Sequence, residues 1–459
     1  MKTTALGWFG IFRLGLVQTA LGAIVVLTTS TINRVMVVEL ALPAVLPGLL
    51  VGLHYAIQLS RPRWGYGSDV GGRRTPWIIG GMAILAIGGI GAAASVAVIE
   101  THLVLGIITA VIAFTLIGIG VGAAGTTLLV LLAKQVAPQR RAAAATIVWV
   151  MMIAGFIITA ATAGHYLDPY STQRLIVITS IVSVVAFLLS VIAVWGVERS
   201  DPAIRSADIS PSTSGAAARK TEFLATLREV WAEDEARNFT IFVFVSMLAY
   251  SAQDLILEPY AGLVFDFTPG QSTQLAGTQH SGVLCGMVLI AAITSFAKSG
   301  IFASLRMWTV AGCLASAVAL AGLSIGGTVG PGWPLGATVF LLGLANGAFA
   351  VAAIGSMMAR AGRGTSGREG TRMGLWGAAQ AIAFGLGGFL GAAMVDLASL
   401  GFGDHLTAYT SVFAGEAVLF VVAAMLAMRI GNAARTPARE HAPAATAIGK
   451  NLLLETAES

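Results

Sequence analysis

The chain has 459 residues, of which 56% are hydrophobic and 11% are charged, and its mean hydropathy is +0.83. A soluble globule of this length needs far more charged surface, so the composition excludes a water-soluble protein and indicates an integral membrane protein. The formal net charge of +5 is spread over several short segments and gives no reason to expect a nucleic-acid partner. Cys285 and Cys313 both lie inside apolar stretches, so no disulfide framework is expected.

Apolar stretches of about 20 residues divide the chain, and each is long enough for an α-helix to cross ~30 Å of hydrocarbon. Backbone polar groups in lipid must be paired within the segment, so these stretches are predicted to be helices and the protein all-α. The first stretch continues into a full span and has no cleavage site, so we expect it to be retained. Twelve transmembrane helices are predicted, at residues 12–36, 45–64, 76–98, 103–133, 142–163, 175–197, 239–265, 276–297, 305–325, 335–359, 373–396 and 408–429.

Basic residues are distributed unevenly between the two sides of this map. Of the 27 Lys and Arg residues, only Arg34 and Arg174 fall outside the N-terminus, the even-to-odd loops and the C-terminal tail. This positive-inside bias predicts a multi-pass protein with both termini in the cytoplasm.

The longest polar interruption separates two groups of six spans. It contains Pro202, a Ser-Pro-Ser stretch and one segment with an amphipathic helical pattern. The final residues are rich in Ala, Pro and charge, which predicts disorder. The predicted organisation is an N-terminal six-helix bundle at 1–198, a cytoplasmic linker with an amphipathic helix at 199–238, a C-terminal six-helix bundle at 239–430 and a cytoplasmic tail at 431–459.

The two groups of spans repeat one another weakly. His54 in span two corresponds to His280 in span eight, and Gly118 in span four corresponds to Gly343 in span ten, at nearly the same offset in sequence. Spacing preserved over several helix pairs indicates a duplicated six-helix unit, with the two bundles related by an axis along the membrane normal.

A basic, glycine-broken loop follows the second span. Its spacing is G-x-x-x-D-x-x-G-R-R, formed by Gly65, Asp69, Gly72, Arg73 and Arg74. This spacing resembles the loop between the second and third helices of the major facilitator superfamily, and the resemblance implies that fold, although Val70 stands where Lys or Arg is usual. The loop is expected to act as a latch between the halves on the cytoplasmic side; a role in fold and stability alone is the alternative.

Proton-driven members of that superfamily often carry an Arg four residues before the first glycine of a G-x-G pattern in span four. Here Leu116 occupies that position before Gly120, and no ionisable side chain lies between Leu103 and Leu132. The helical part of span five has no proline, so the glycine-proline signature of drug antiporters is also missing. Proton-coupled export is therefore disfavoured.

Polar residues inside spans are costly and mark function or structural pairing. Arg34 is predicted to form an ion pair between the two halves with Asp254 or Glu258, and such a pair would either close the outer side or bind substrate. The expected polar cluster between the halves consists of Asn33, Arg34, Glu39, Asp254 and Glu258.

His54 with Gln58 in span two, and His280 with Gln279 in span eight, form the second polar group. A neutral imidazole can serve as an axial ligand to the metal of a planar macrocycle, although a histidine in a membrane span is more often a hydrogen-bonded helix contact. The remaining histidines show no zinc-ligand spacing. The chain has no nucleophile elbow, Walker loop or dinucleotide fingerprint, so enzyme activity is not expected.

The segments NRVMVVEL and PAVLPGLLVGLHYAIQLSRPRWGYGSD resemble the PucC and LhaA group of light-harvesting assembly proteins, and LIGIGVGAAGTTLLVLLA and RMGLWGAAQAIAFGLGG extend the resemblance more loosely. The resemblance implies a photosynthetic inner (intracytoplasmic) membrane and bacteriochlorophyll as a bound cofactor, with carotenoid as a further candidate. His54 and His280 are the candidate axial ligands to the magnesium of that pigment. It also implies antenna α and β polypeptides as partners, with enzymes of bacteriochlorophyll synthesis as further candidates. The alternative function is secondary transport of a hydrophobic small molecule such as a porphyrin.

Overall fold

A computed structural model describes residues 6–61, 64, 73–137, 140–198, 228–229, 231–297, 300–361 and 369–430. Within these ranges every regular element is a helix, and each predicted span overlaps one of them, which confirms the all-α prediction. The twelve helices are α1 Trp8–Val38, α2 Val45–Gln58, α3 Thr75–Thr101, α4 Leu103–Gln135, α5 Arg141–Leu167, α6 Thr172–Val194, α7 Asp234–Phe265, α8 Pro269–Phe296, α9 Leu305–Val329, α10 Leu335–Ala361, α11 Glu369–Phe402 and α12 His405–Arg429.

Eleven of these helices are long and apolar enough to cross a membrane, and α2 is the exception within the described part of the chain. Its 14 residues rise only about 21 Å, and a turn at Leu59 and Ser60 ends it before the predicted boundary at 64. Many large apolar side chains on the helices are exposed, as expected where helices face lipid.

Successive helices run in opposite directions, so the bundle has two sides. We name as the basic side the one that holds Trp8, Arg61, Thr75, Arg141 and Arg429. The distal side holds the connections at 39–44, 102, 168–171, 266–268, 333–334 and 403–404. Both ends of the described chain lie on the basic side.

The helices form two six-helix halves, each with its own hydrophobic core. One core lies among α1–α6 and contains Phe114 and Met82; the other lies among α7–α12 and contains Phe349, Phe420 and Trp376. Across the halves, α5 packs against α8 and α2 packs against α11. These two helix pairs form the two seams between the halves.

Glycines place equivalent helices in close contact in the two halves. A Cβ atom on Gly118 of α4 would lie 2.8 Å from the His54 carbonyl oxygen of α2. A Cβ atom on Gly343 of α10 would overlap the Gln279 carbonyl oxygen of α8. Small residues permit such close approach where lipid gives no hydrophobic drive to associate. The repeat inferred from sequence therefore corresponds to repeated packing.

Of the predicted linker, Arg228, Glu229 and residues from Trp231 onward are described. The rest of the linker and the tail at 431–459 lie outside the described residues. Their proposed boundaries remain predictions.

Candidate functional site: a cavity between the halves

A cavity of about 510 Å³ lies between the two halves, within the size range of about 300–1,000 Å³ usual for small-molecule sites. It extends from mid-helix positions such as Ser30 and Asp254 toward Arg61 on the basic side. Most of its wall is apolar and is contributed by both halves. Its larger apolar side chains include Leu21, Met152, Phe156, Tyr250, Met287 and Phe384.

A π-helical turn interrupts α1 at Leu27–Thr31, where the wider winding brings consecutive residues toward the cavity. Thr29 and Ser30 of this turn line the cavity. Such turns are frequent at functional sites. No proline or glycine pair marks this turn in the sequence, so the prediction of span one as one regular helix missed this feature.

His54 belongs to a chain of hydrogen bonds on one face of α2. The Arg61 guanidinium can only donate, so it donates to the Gln58 Oε1 atom and turns the Gln58 amide nitrogen toward the imidazole. Gln58 Nε2 lies 2.9 Å from His54 Nε2, which must therefore accept. The ring proton consequently lies on Nδ1, a buried atom without a hydrogen-bond partner among the described residues.

His280 has the complementary arrangement. Its Nδ1 atom lies 2.8 Å from the Ala276 carbonyl oxygen, which can only accept, so Nδ1 carries the proton. The lone pair of Nε2 is then left for another ligand. Phe156 of α5 holds the ring in an edge-on contact with centroids 4.8 Å apart. A backbone carbonyl on the second nitrogen is the usual means of orienting a metal-binding imidazole.

The two histidines line the same cavity but differ as candidate axial ligands. The Nε2 lone pair of His54 is already engaged by Gln58, so ligation there requires that bond to break. The residues at His280 fit the axial ligation of a magnesium macrocycle, since its Nε2 is available beside apolar walls. Gln279 does not support the His280 ring; its amide donates to Asp254 Oδ1 at 2.8 Å.

The polar cluster near the distal side joins the halves through backbone carbonyls. Arg34 forms its salt bridge with Glu39 of its own half. Its guanidinium also donates to the Phe267 carbonyl oxygen of the other half at 2.6 Å. Asn33 donates to the Leu255 carbonyl oxygen at 2.6 Å. These contacts help to close the distal side.

The predicted ion pair between Arg34 and Asp254 or Glu258 is not formed. Asp254 faces the cavity and accepts from Gln279. Glu258 is buried near Ser30, within electrostatic reach of Arg34. Glu39 follows immediately after the end of α1 at Val38, so the chain can fold it back onto Arg34 and satisfy the cation locally.

The structure describes only the end of the loop predicted to act as a latch. Arg73 and Arg74 are among the described residues, while Gly65, Asp69 and Gly72 lie outside them. The Glu198 carboxylate, just after α6, accepts from the backbone nitrogens of Arg74 at 2.7 Å and Thr75 at 2.8 Å. This contact caps the start of α3 within the N-terminal half. The described part thus joins α3 to the end of α6, and the predicted link between halves remains a prediction.

Arg61 and Phe156 are site residues that the sequence-based prediction did not include. Arg61 follows His54 and Gln58 at the i, i+4, i+7 spacing of one helix face, a signal that was present in the sequence. Phe156 reaches His280 from α5, and no local pattern reveals a contact between two distant helices.

Several solved structures of transporters have the same architecture. The chain aligns with a crystal structure of the nucleoside transporter NupG at a TM-score of 0.66, with 14% identity over 92% of this chain and 100% of that one. It also aligns with a D-xylose-proton symporter at a TM-score of 0.66, with 14% identity over 92% of this chain and 97% of the symporter. At this identity the likeness shows the fold alone. Twelve helices in two halves around a central cavity define a multi-pass membrane protein of the major facilitator fold.

Sequence comparison gives the family. The family model described as PUCC protein matches residues 31–434. "Bacteriochlorophyll synthase 44.5 kDa chain" of Rhodobacter capsulatus is 54% identical over 435 residues, covering 94% of this chain and 98% of that protein. "Protein PucC" of Cereibacter sphaeroides is 30% identical over 456 residues, covering 93% of each. The chain belongs to the PucC family, which confirms the resemblance found in its sequence.

Proposed function

We propose that this protein is an assembly factor for bacterial light-harvesting antenna complexes, that it binds bacteriochlorophyll in the central cavity, and that it has no enzymatic turnover. Family membership and the name of the relative from Rhodobacter capsulatus support the link to bacteriochlorophyll. Although that name contains the word synthase, the cavity of the present chain offers mainly apolar walls and hydrogen-bonded polar groups. Such a lining suits binding a pigment better than catalysing its chemical conversion.

The observation that carries the proposal is the state of His280. Its proton is fixed on Nδ1 by the Ala276 carbonyl, and its Nε2 faces no competing hydrogen bond from the described residues. Bacteriochlorophyll would supply a magnesium ion that takes one axial ligand. His280 is our assigned ligand, with Phe156 beside the imidazole and the apolar walls excluding water.

The test is the pigment content of detergent-purified protein from cells that make bacteriochlorophyll, measured by its absorption spectrum. We expect His280→Ala to lose most of the bound pigment. His54→Ala should lose less pigment, because the Nε2 lone pair of His54 already accepts a hydrogen bond from Gln58. His102→Ala, in the exposed connection between α3 and α4, serves as the matched control and should retain pigment. Equal pigment content in all three variants would refute the assignment, and absence of pigment from the unmodified protein would refute the cofactor.

We assign the protein to the bacterial inner (intracytoplasmic) membrane, with the basic side in the cytoplasm, because Lys and Arg are concentrated there. Antenna α and β polypeptides are the proposed partners, docking on the lipid-facing helices. Carotenoid and the enzymes of bacteriochlorophyll synthesis are the secondary proposals. Co-purification of antenna polypeptides, with loss of antenna but normal pigment synthesis in a deletion strain, tests these assignments.

Secondary transport of a hydrophobic small molecule is the second candidate. It is favoured by one observation: the cavity lies between two halves that are joined by contacts near the distal side, as a rocking carrier requires. Counterflow of a porphyrin in proteoliposomes would support transport. Stable pigment retention without counterflow supports assembly.

A further inference from the structure

A second groove, of about 480 Å³, lies on the α5–α8 seam. It is lined by Ile157, by two small residues, Ala161 and Gly277, and by four polar ones, His165, Gln274, Thr278 and Ser281. His165, Gln274 and Ala161 are exposed on the surface of membrane-spanning helices. The groove therefore opens toward the bilayer.

The polar residues of this groove extend along α8 into its membrane-spanning part. Gln274, Thr278 and Ser281 follow one face of α8 at i, i+4, i+7, and Ser281 lies about 18 Å along the helix from its distal end. The hydroxyls of Thr278 and Ser281 donate to carbonyls of their own helix, and their oxygens remain able to accept. The row therefore offers hydroxyl acceptors beside the Gln274 amide to a ligand in the groove.

The groove and the central cavity are lined by adjacent residues of the same two helices. Phe156 and His280 line the cavity, while their sequence neighbours Ile157 and Ser281 line the groove. The Phe156 and His280 rings contact each other across the seam, with centroids 4.8 Å apart. The proposed axial ligand thus stands at the inner end of a path that begins at the lipid surface.

The helices at this depth meet through small residues. A Cβ atom on Gly277 would lie 3.2 Å from the Ala160 Cβ atom. Such a contact holds the two helices together by close backbone packing and not by interlocking side chains. Separation of Phe156 from His280 would then connect the groove with the cavity.

We propose that the α5–α8 seam is a lateral portal, through which an amphipathic macrocycle with carbonyl groups on its edge passes from the bilayer to His280. This inference rests on the proposed pigment-binding function and adds the route to it. The Gln274 amide and the His165 ring supply donors for such carbonyl groups at the groove. The aromatic pair of Phe156 and His280 acts as the inner gate.

The experiment locks the seam with a disulfide. In full-length protein carrying Cys285→Ala and Cys313→Ala, the pair Ala160→Cys and Gly277→Cys would cross-link α5 to α8, since a few tenths of an ångström of relaxation give disulfide geometry. The matched control is Gly52→Cys with Phe389→Cys on the α2–α11 seam, where the Cβ atoms would lie 3.9 Å apart. Bacteriochlorophyll is added to proteoliposomes, and loading is followed by quenching of tryptophan fluorescence, to which Trp149 of the cavity wall contributes.

We expect oxidation of the 160–277 pair to slow loading at least tenfold, reduction to restore it, and the control cross-link to change it less than twofold. Unchanged loading with the 160–277 pair oxidised would overturn the portal and leave pigment binding standing. Equal slowing by both cross-links would also overturn it, since rocking of the halves would then be the limiting motion. Absence of loading in the cysteine-free protein would remove both proposals.

Discussion

Asp168 and Asp396 make equivalent contacts with opposite halves of the molecule. Asp168, after α5, accepts from Gly270 N at 3.1 Å and from Thr268 Oγ1 at 2.6 Å, at the start of α8. Asp396 of α11 accepts from Ala44 N at 3.0 Å and Val45 N at 2.7 Å, at the start of α2. Asp168 thus pairs one N–H group and one hydroxyl, and Asp396 pairs two N–H groups, each at the positive end of a helix in the other half. The distal ends of both seams are therefore held by the same device.

Removing these carboxylates should loosen the distal side. We expect Asp168→Ala and Asp396→Ala each to weaken its closure by about 1 kcal/mol, the usual value of a charged helix cap, and the double variant to show about the sum. The readout is labelling of Thr273→Cys in protein that also carries Cys285→Ala and Cys313→Ala. Thr273 is a buried position whose native hydroxyl pairs with Thr31 at 3.0 Å across the halves. Each single variant should raise the labelling rate roughly fivefold.

Asp404→Ala is the matched control for these variants. Asp404 is also a distal acid, but its carboxylate accepts from Thr407 N at 2.6 Å at the start of its own helix and makes no contact across the halves with the described residues. Labelling of Thr273→Cys should stay unchanged in this variant. If Asp404→Ala accelerated labelling as much as Asp168→Ala, general destabilisation would explain the effect.

Glu198 should stabilise the N-terminal half without affecting the cavity. Its carboxylate is mostly buried and caps α3 through two backbone bonds, so Glu198→Ala removes both of these hydrogen bonds. We expect a loss of about 1–3 kcal/mol in the free energy of unfolding and unchanged pigment content. Glu198→Gln keeps one acceptor oxygen, so its free energy of unfolding should lie between that of Glu198→Ala and that of the unmodified protein. A thermal melting curve identical to that of the unmodified protein would contradict this role.

The architecture could be predicted from sequence because membrane constraints are simple. Helix length, apolar composition and basic loops indicated the spans, and the offset between His54 and His280 indicated the duplicated halves, which place both rings on one cavity. These features depend on local composition and on a repeat that persists over many residues.

The partners of polar side chains could not be predicted in this way. Arg34 pairs with Glu39 beyond a helix end, where helical spacing no longer restricts side-chain positions. The proton positions on the two cavity histidines depend on Arg61 in one case and on a backbone carbonyl in the other. Capping by Asp168 and Asp396 joins residues more than a hundred positions apart. Such contacts are set by tertiary packing.

The close packing of Gly343 gives a stability prediction. Its Cβ would overlap the Gln279 carbonyl oxygen, so Gly343→Ala must push α10 away from α8 and should cost about 1–3 kcal/mol. A Cβ atom added at Gly415, in the middle of α12, would meet nothing within 4 Å, and Gly415→Ala should be neutral or stabilise by up to about 1 kcal/mol. The free energies of unfolding of Gly343→Ala and Gly415→Ala are compared by denaturation in detergent. Equal stability of both variants would show that α8 and α10 can separate at little cost.

The two cavity histidines should be distinguishable by ¹⁵N NMR of the imidazole rings. We expect both His54 and His280 to be neutral with the proton on Nδ1, His54 because Gln58 donates to its Nε2 and His280 because Ala276 accepts from its Nδ1. Addition of bacteriochlorophyll should shift the Nε2 signal of His280 and leave that of His54 in place. Gln58→Leu removes the donor to His54 and should free its Nε2, so that a second ring becomes sensitive to pigment. A shift at His54 alone in the unmodified protein would reverse our choice of ligand.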